Sequence, residues 1–336
     1  MGSLKSKLRN TWRMTSRAIG LPVRTKPIIL MYHRIAAVSG DPWELCVSER
    51  NFAAQMEALK SRRSVLSLAE FSARLANGTL SANAAAITFD DGYACNAELA
   101  APILLDKALH ATIFLCSGML DTARWFWWDA LEEIVMAHRG TSLRLDVDPT
   151  REVFELGALD PASLRSQWRA FDPKQTMRQT AYLTIWSRLR SMSEDVRRTA
   201  MQSLHDQSGV LEAAPGNFRA MTWTQARWLA EQSLIEIGAH TVTHPALAEA
   251  SEEVQLQEMT ASVRDCERII GRSIVSFAYP YGSYSAHTVA IARDIGLHQA
   301  CTTNATPVDR TSSRLELPRY QVLNWNADEF LINLNI

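Results

Sequence analysis

The chain has 336 residues, a formal net charge of −1 at pH 7 and 47% hydrophobic residues. This length accommodates one large domain or a domain that carries a sizeable insertion. A nearly neutral chain has no overall positive field that would attract nucleic acid, so we expect no nucleic-acid partner. The five cysteines are scattered and form no Cys-x-x-Cys pair. This pattern favours free thiols in a reducing compartment over a disulfide framework or a thiolate zinc site.

The first 26 residues form a basic leader, in which Leu4, Leu8 and Trp12 recur every four positions. That spacing predicts an amphipathic helix, which could contact an anionic membrane surface. The alternative is a frayed, solvated leader. The leader does not have the pattern of a secretory signal peptide, and no apolar run approaches the ~20 residues that span a bilayer. We therefore expect a cytoplasmic protein, with peripheral contact at the inner membrane as an option.

After the leader, apolar runs alternate with amphipathic patterns. Buried strands are predicted at 27–33, 84–89, 111–116, 234–238, 274–278 and 298–302. Helices are predicted at 49–60, 96–108, 252–270 and 285–295, and Ser67 should cap a further short helix. Strands that alternate with helices indicate an α/β fold with a mostly parallel sheet, either open or closed into a barrel.

One interval, from residue 117 to residue 233, is much longer than the roughly 30–40 residues of a βαβ unit. It is largely helical in pattern, with helices predicted at 128–138, 161–170, 177–192 and 194–207. We therefore predict one domain at 27–336 that is interrupted by a helical insertion at about 121–217. The insertion contains a Trp-Phe-Trp-Trp run at 125–128. Such aromatic residues can stack on sugar rings or pack the insertion onto the core, and we expect packing for Trp168 and Trp186.

The strand at 84–89 ends in two adjacent carboxylates, Asp90 and Asp91. Burying ionised carboxylates is costly unless a cation or hydrogen-bond donors compensate them. Successive side chains on a strand point in opposite directions, so the two acids should have different roles. The alternative is an ordinary turn after the strand, because Asp-Gly is a common turn dipeptide and Gly92 follows.

Two histidines, His240 and His244, follow the strand at 234–238. Pro245 disfavours helical geometry at His244, so the pair is more plausible on a loop than on a helix. Two histidines and one carboxylate leave a fourth position for water, which is the pattern of a catalytic zinc site. Asp90 or Asp91 would supply the carboxylate, and the other acid would accept a proton from the water. An incidental histidine pair is the alternative.

A third segment, Phe-Ala-Tyr-Pro-Tyr-Gly at 277–282, also follows a strand. Its proline and glycine could shape a turn that directs a backbone N–H at a developing oxyanion. An aromatic turn without a chemical role is the alternative.

These three segments, in this order, resemble the motifs of polysaccharide deacetylases with a NodB-homology domain, the metal-dependent carbohydrate esterases. The first motif is similar to 88–92, the His-(Ser/Thr)-x-x-His motif to 240–244, and a variant of the third to 277–282. Met-Tyr-His-Arg at 31–34 resembles the signature of a bacterial branch linked to exopolysaccharides. The resemblance covers roughly 27–122 and 218–325, and it implies a distorted (β/α) barrel of the NodB-homology type.

The resemblance also implies a site and an activity. A divalent metal, with Zn²⁺ as the first choice, would be held by Asp91, His240 and His244. Asp90 would be the general base, and the backbone N–H of Tyr281 would help to stabilise the oxyanion. The expected reaction removes N-acetyl groups from an amino sugar in a polysaccharide or a glycan precursor.

The sequence departs from the family pattern in two places. The third motif often has an arginine before its proline, and here Tyr279 stands there. Arg319 could pair with the base from another strand, or it could be a surface residue. No histidine follows His298, so the usual late histidine is missing, and His33 is our candidate for the general acid. A core histidine is the alternative for His33. The same fold also hosts hydrolysis of non-sugar amides and cyclic ureides, which is an alternative activity. The two departures leave open a non-catalytic glycan-binding relative.

Overall fold

The computed structural model describes residues 25–147, 150–211 and 213–336. The predictions for the basic leader therefore lie outside the described residues, apart from its last two positions. Among the described residues, no helix combines the length and apolar character needed to cross a membrane. All five cysteines are free and buried.

The strands lie at β1 Ile28–Tyr32, β2 Arg34–Ile35, β3 Cys46–Val47, β4 Ser64–Val65, β5 Ala84–Phe89, β6 Ala111–Leu115, β7 Ser142–Val147, β8 Thr150–Glu155, β9 Ile235–Ala239, β10 Ser276–Ala278, β11 Gln299–Cys301 and β12 Tyr320–Gln321. The helices lie at α1 Glu49–Arg62, α2 Leu68–Ala76, α3 Ala101–Asp106, α4 Trp127–Ala137, α5 Ala162–Gln167, α6 Met177–Arg190, α7 Glu194–Ser208, α8 Trp223–Glu231, α9 Glu252–Ile270, α10 Ala286–Asp294 and α11 Ala327–Leu334. Each strand predicted from the sequence is present, with ends shifted by at most two residues. Ser67 caps α2 as predicted, since its side chain accepts from the Glu70 amide.

The central sheet is parallel and has the order β11-β10-β9-β6-β5-β1-β12, with β4 paired to the start of β5. The segment 317–321 closes this sheet. Leu317 bridges Cys301 at the end of β11, and Tyr320 pairs with Leu30 in β1. The sheet therefore curls round on itself, and the predicted distorted (β/α) barrel is confirmed.

Side chains of β5 alternate between two hydrophobic clusters, as a strand with both faces covered requires. Ala85, Ile87 and Phe89 belong to the main core, whereas Ala84 and Ala86 belong to a second cluster that includes Ile29 and Phe114. Asp90 and Asp91 lie directly after Phe89, at the carboxyl end of the strand. Parallel strands gather their carboxyl ends at one edge, so β5, β9 and β10 present their following loops to a common site.

The chain between β6 and β9 carries α4 to α7 and an antiparallel hairpin, β7–β8, which was not predicted. The helices α4, α6 and α7 and the hairpin share a hydrophobic cluster of their own, with buried side chains such as Leu131, Tyr182 and Leu204. Trp168 is buried in this cluster, as expected for a packing residue. The bounds of 121–217 for the insertion stay a prediction.

Candidate metal centre and active site

Asp91, His240 and His244 converge at the carboxyl ends of β5 and β9. The two histidine Nε2 atoms are 3.2 Å apart, and they lie 3.5 Å (His240) and 3.3 Å (His244) from Asp91 Oδ1. All three side chains are buried. The structure thus brings together the three residues that the sequence suggested as metal ligands.

These donors fit a zinc ion. A tetrahedral zinc with ligand bonds of about 2.0–2.2 Å holds its ligand atoms about 3.3–3.6 Å apart, close to the three separations observed. Asp91 Oδ1 is buried and has no hydrogen-bond partner among the described residues. Such a carboxylate oxygen is costly to bury unless a cation contacts it. Asp91, His240 and His244 are therefore a suitable site for a divalent metal.

The ring of His240 is fixed by a backbone carbonyl. Its Nδ1 lies 2.7 Å from the Ala278 carbonyl oxygen, which can only accept, so Nδ1 carries the proton. The Nε2 lone pair is then directed at Asp91 and His244, as a metal ligand requires. The Ala278 carbonyl belongs to β10, so the third motif of the sequence orients a histidine of the second.

The loop between the two histidines is anchored by a carboxylate on α9. Glu258 accepts from the amides of Val242 and Thr243 at 2.8 and 3.0 Å, and from the Thr243 hydroxyl at 2.7 Å. From the insertion, Arg197 donates to the Thr243 carbonyl at 2.8 Å. Neither Glu258 nor Arg197 was predicted, because each contacts the loop from a helix distant in sequence.

Asp90, the first acid of the pair, forms an ion pair with Arg319. Two parallel hydrogen bonds of 2.7 Å join the guanidinium to both carboxylate oxygens, and Arg319 also donates to Thr88 at 3.0 Å. Arg319 is fully buried and sits in the segment that closes the barrel. Arg319 is therefore a buried partner of Asp90 and not a surface residue.

Burial and the neighbouring groups together shift the pKa values of the acids and histidines of the site. Burial alone would raise the pKa of Asp90, but Arg319 outweighs it and the pKa lies below the ordinary value. Burial would also raise the pKa of Asp91, yet the adjacent imidazoles of His240 and His244 lower it strongly. Burial lowers the pKa of His244 to about 4, so this imidazole is neutral at pH 7. Both carboxylates are thus ionised at neutral pH.

Several residues of the site have left-handed backbone conformations that non-glycine residues rarely adopt. The φ angles are 71° for Asp91, 63° for Thr241, 58° for His244 and 58° for Tyr281. Each such residue costs on the order of 1–3 kcal/mol and persists only where its surroundings impose it. This strain is concentrated on two of the proposed ligands and on the aromatic residue beside them.

Tyr281 and His33 both line the cavity that contains the carboxylates. The Tyr281 ring contacts the His244 ring edge to face, with 4.4 Å between the ring centroids. The His33 carbonyl accepts from Asn96, whereas its buried Nδ1 has no hydrogen-bond partner among the described residues. The structure therefore places both residues near Asp90 and Asp91, and their chemical roles stay predictions.

The cavity has a volume of about 530 Å³ and opens between the barrel and the insertion. The barrel contributes Asp90, Asp91, His240 and His244. Aromatic side chains form much of the remaining wall, namely Trp43, Trp128, Phe171, Trp186 and Tyr281. Trp186 thus lines the cavity in addition to packing, in contrast to what was expected, and Trp43 and Phe171 were not singled out from the sequence.

Trp128 connects the metal donors to a buried polar network. Its ring centroid lies 4.6 Å from that of His244, and its indole N–H donates to the Tyr93 hydroxyl at 2.9 Å. Tyr93 in turn donates to Asp129 at 2.7 Å, and Arg34 lies 3.2 Å from the other oxygen of Asp129. The insertion is thereby tied to the barrel directly beside the proposed metal site.

Comparison with known proteins agrees with this geometry. The family model described as polysaccharide deacetylase matches residues 77–141 and 205–300, and the unmatched interval falls within the insertion. A comparison with curated proteins finds no match.

Several solved structures share the fold. The deacetylase PplD from Streptococcus pyogenes, solved with acetate, is 20% identical, with a TM-score of 0.58 over 93% of this chain and 99% of its own. IcaB from Ammonifex degensii is 15% identical, with a TM-score of 0.57 over 93% and 96%. The BpsB deacetylase domain from Bordetella bronchiseptica is 18% identical, with a TM-score of 0.52 over 89% and 97%. The matching family model thus identifies residues 77–141 and 205–300, which carry the three motifs of this site, as a polysaccharide deacetylase domain, and the solved structures share its fold.

Proposed function

We propose that this chain is a metal-dependent hydrolase that removes N-acetyl groups from an amino sugar in a polysaccharide or glycan precursor. The observation that carries the proposal is the convergence of Asp91, His240 and His244 beside a second carboxylate, Asp90, that is held ionised. A site that only bound sugars would have no need for a buried base next to three metal-type donors.

Asp90 is suited to accept a proton from the attacking water. Arg319 keeps its carboxylate ionised at neutral pH and, through the paired hydrogen bonds, fixes its orientation. Zn²⁺ at Asp91, His240 and His244 would supply Lewis acidity toward the acetyl carbonyl and lower the pKa of a water molecule. Hydrolysis of the amide then gives acetate and a free amine on the sugar.

Two further groups complete the proposed chemistry. The backbone N–H of Tyr281 would donate to the oxyanion, and the strained turn around Tyr281 fixes its direction. His33, which lines the same cavity, would protonate the departing amine. The missing late histidine of the family is thereby replaced by a histidine at the end of β1.

The test is acetate release from N-acetylglucosamine oligosaccharides by zinc-loaded and by metal-stripped protein. We expect acetate with zinc, loss of activity after chelation, and recovery on adding zinc back. Acetate release from a non-sugar amide or a cyclic ureide alone would favour the alternative substrate class. Glycan binding without any acetate release by the zinc-loaded protein would favour the non-catalytic alternative.

The location of the reaction is also part of the proposal. A cytoplasmic precursor as substrate would place the enzyme near membrane-linked glycans, and the basic leader would hold it there. Deleting residues 1–24 should then abolish co-sedimentation with anionic lipid vesicles, and unchanged co-sedimentation would contradict this assignment.

A further inference from the structure

A continuous row of aromatic side chains runs from the metal donors to the protein surface. From Tyr281, which contacts His244, the row passes to Trp186 and Trp43 and ends at Phe171. The successive ring centroids are 6.0, 4.4 and 5.6 Å apart. All four side chains line the same cavity. We call these four residues the aromatic row.

The two outer members of the row are held in place by several polar contacts. The Trp43 indole N–H donates to the Tyr182 hydroxyl at 2.7 Å. The Gln321 side chain donates to the Trp43 carbonyl at 3.0 Å. The Ala170 amide, next to Phe171, donates to the Pro42 carbonyl at 2.8 Å. Two segments far apart in sequence are therefore joined so that Trp43 and Phe171 form one preorganised surface.

The outer end of the row is exposed although its rings are apolar. Phe171 is 75% exposed, whereas Tyr281 and Trp186, at the inner end, are partly buried. An isolated exposed phenylalanine is unremarkable on a protein surface. Phe171 differs because it continues a cavity that already contains the proposed chemical groups. The polar residues Thr303 and Gln321 line the same cavity.

This combination suits linked sugars. A pyranose ring offers an apolar C–H face to an aromatic ring and hydroxyl groups at its edge to polar side chains. A single amino sugar at the metal donors would contact the inner end of the row and leave Phe171 without a partner. A chain of linked sugars would cover the row to its exposed end.

We propose that Trp43 and Phe171 form a second sugar subsite, which binds the sugar next to the one that is deacetylated. This inference rests on the proposed function, and it assigns the recognition of that neighbouring sugar to Trp43 of the barrel together with Phe171 of the insertion. The subsite contributes binding and leaves the reacting groups unchanged.

The experiment measures kcat and KM for acetate release from N-acetylglucosamine and from its tetramers, with β-1,4 and with β-1,6 linkage. For the wild-type protein we expect a lower KM for a tetramer than for the monosaccharide. Phe171→Ala should raise the tetramer KM roughly three- to tenfold, the loss expected for one aromatic stacking contact, with kcat nearly unchanged. The monosaccharide KM should not change, and Phe171→Trp should restore tetramer binding.

Leu211→Ala is the matched control, because Leu211 is 77% exposed and lies in the insertion outside this cavity. It should leave every constant unchanged. Equal tetramer KM values for the wild-type protein and Phe171→Ala would overturn the subsite. If no oligosaccharide yields acetate, the proposed function is wrong, but the subsite is not yet tested. Tryptophan fluorescence titrations with the tetramers then show whether the subsite binds sugar. Weaker binding by Phe171→Ala would then support it, whereas equal binding or none would overturn it.

Discussion

Replacing Asp129 by asparagine should change how the stability of the protein depends on pH. Asp129 is 7% exposed, and Arg34 Nη1 lies 3.2 Å from its Oδ1 without the alignment of a hydrogen bond. Burial raises the pKa of Asp129, whereas the charge of Arg34 and the hydrogen bond from Tyr93 lower it. Burial has the larger effect, so the pKa rises from the ordinary 3.8 to about 6. The folded protein therefore binds this proton more tightly than the unfolded chain does.

The sign and size follow from linkage between protonation and folding. A raised pKa in the folded state gives stability that is complete below about pH 3.8 and is lost as the pH rises through about 6. A tenfold change in proton affinity is worth about 1.4 kcal/mol, so the loss amounts to roughly 3 kcal/mol at neutral pH. Asparagine carries no such proton, so the variant should not show this loss.

The assay is urea unfolding of metal-free protein, followed by tryptophan fluorescence, at several values between pH 4 and pH 8. The free energy of unfolding of Asp129→Asn minus that of the wild type should rise by roughly 2–3 kcal/mol across this range. The attraction of Arg34 acts only on the ionised carboxylate, so the pKa of about 6 already includes it. Any difference between the neutral acid and the amide adds an offset that does not vary with pH. Asp294→Asn, which removes an exposed carboxylate from α10, measures the effect of the charge change alone.

A difference that stays constant or falls with rising pH would refute this reasoning. It would show that the attraction of Arg34 exceeds the cost of burial, and that Asp129 is ionised in the folded protein at least as readily as in the unfolded chain.

The remaining predictions concern the proposed catalytic groups. Asp91→Asn should mainly weaken zinc binding, whereas Asp90→Asn should retain zinc and lose turnover; equal loss of zinc in both, by metal analysis, would contradict this division of roles. His33→Ala should lower turnover of an acetamide substrate by about 10²–10⁴-fold if His33 is the general acid, and unchanged turnover would remove that assignment. Arg319→Met should reduce the free energy of unfolding by about 3–5 kcal/mol, because it leaves a buried carboxylate without its cation. Arg319→Lys should reduce it less, and urea unfolding that found Arg319→Met as stable as the wild type would contradict the argument.

The strands and the metal donors could be predicted because their signals are local. The uncharged run Ala84–Phe89 ends at Asp90 and Asp91, and a parallel fold places the ends of such runs at one edge. His240 and His244 lie on the loop after β9, which is separated from β5 by β6 in the sheet. The sequence pattern of each segment therefore predicted both its secondary structure and its position at the site.

The hairpin β7–β8 was missed although its alternation is visible. Leu143 and Leu145 are buried while the residues before each are exposed, which is the period of a half-buried strand. The surrounding helical patterns favoured a continuous helical interpretation. A strand pair of this kind depends on the cluster that α4, α6 and α7 provide, and that cluster is not a property of the segment itself.

The proposed second sugar subsite could not be predicted because it depends on contacts between irregular segments. Trp43 lies in a loop before β3 and Phe171 in a loop before α6, and the chain between them contains most of the barrel's first half. The left-handed conformations of Asp91, His244 and Tyr281 were also beyond prediction. Aspartate and histidine adopt this conformation more often than most non-glycine residues, but that preference is weak, and only the assembled site imposes the conformation at these positions.

The position of Arg319 in the segment that closes the barrel has a consequence for biosynthesis. Asp90 and its counter-ion are 229 residues apart in the chain. At typical synthesis rates of about 5–20 residues per second, the carboxylate is made roughly 10–50 s before the arginine that compensates its charge. During that time the nascent chain cannot bury an ionised Asp90 at low cost. The proposed active site is thus complete only when the last barrel strand has been made and has folded. We therefore expect no hydrolysis before the whole barrel has formed.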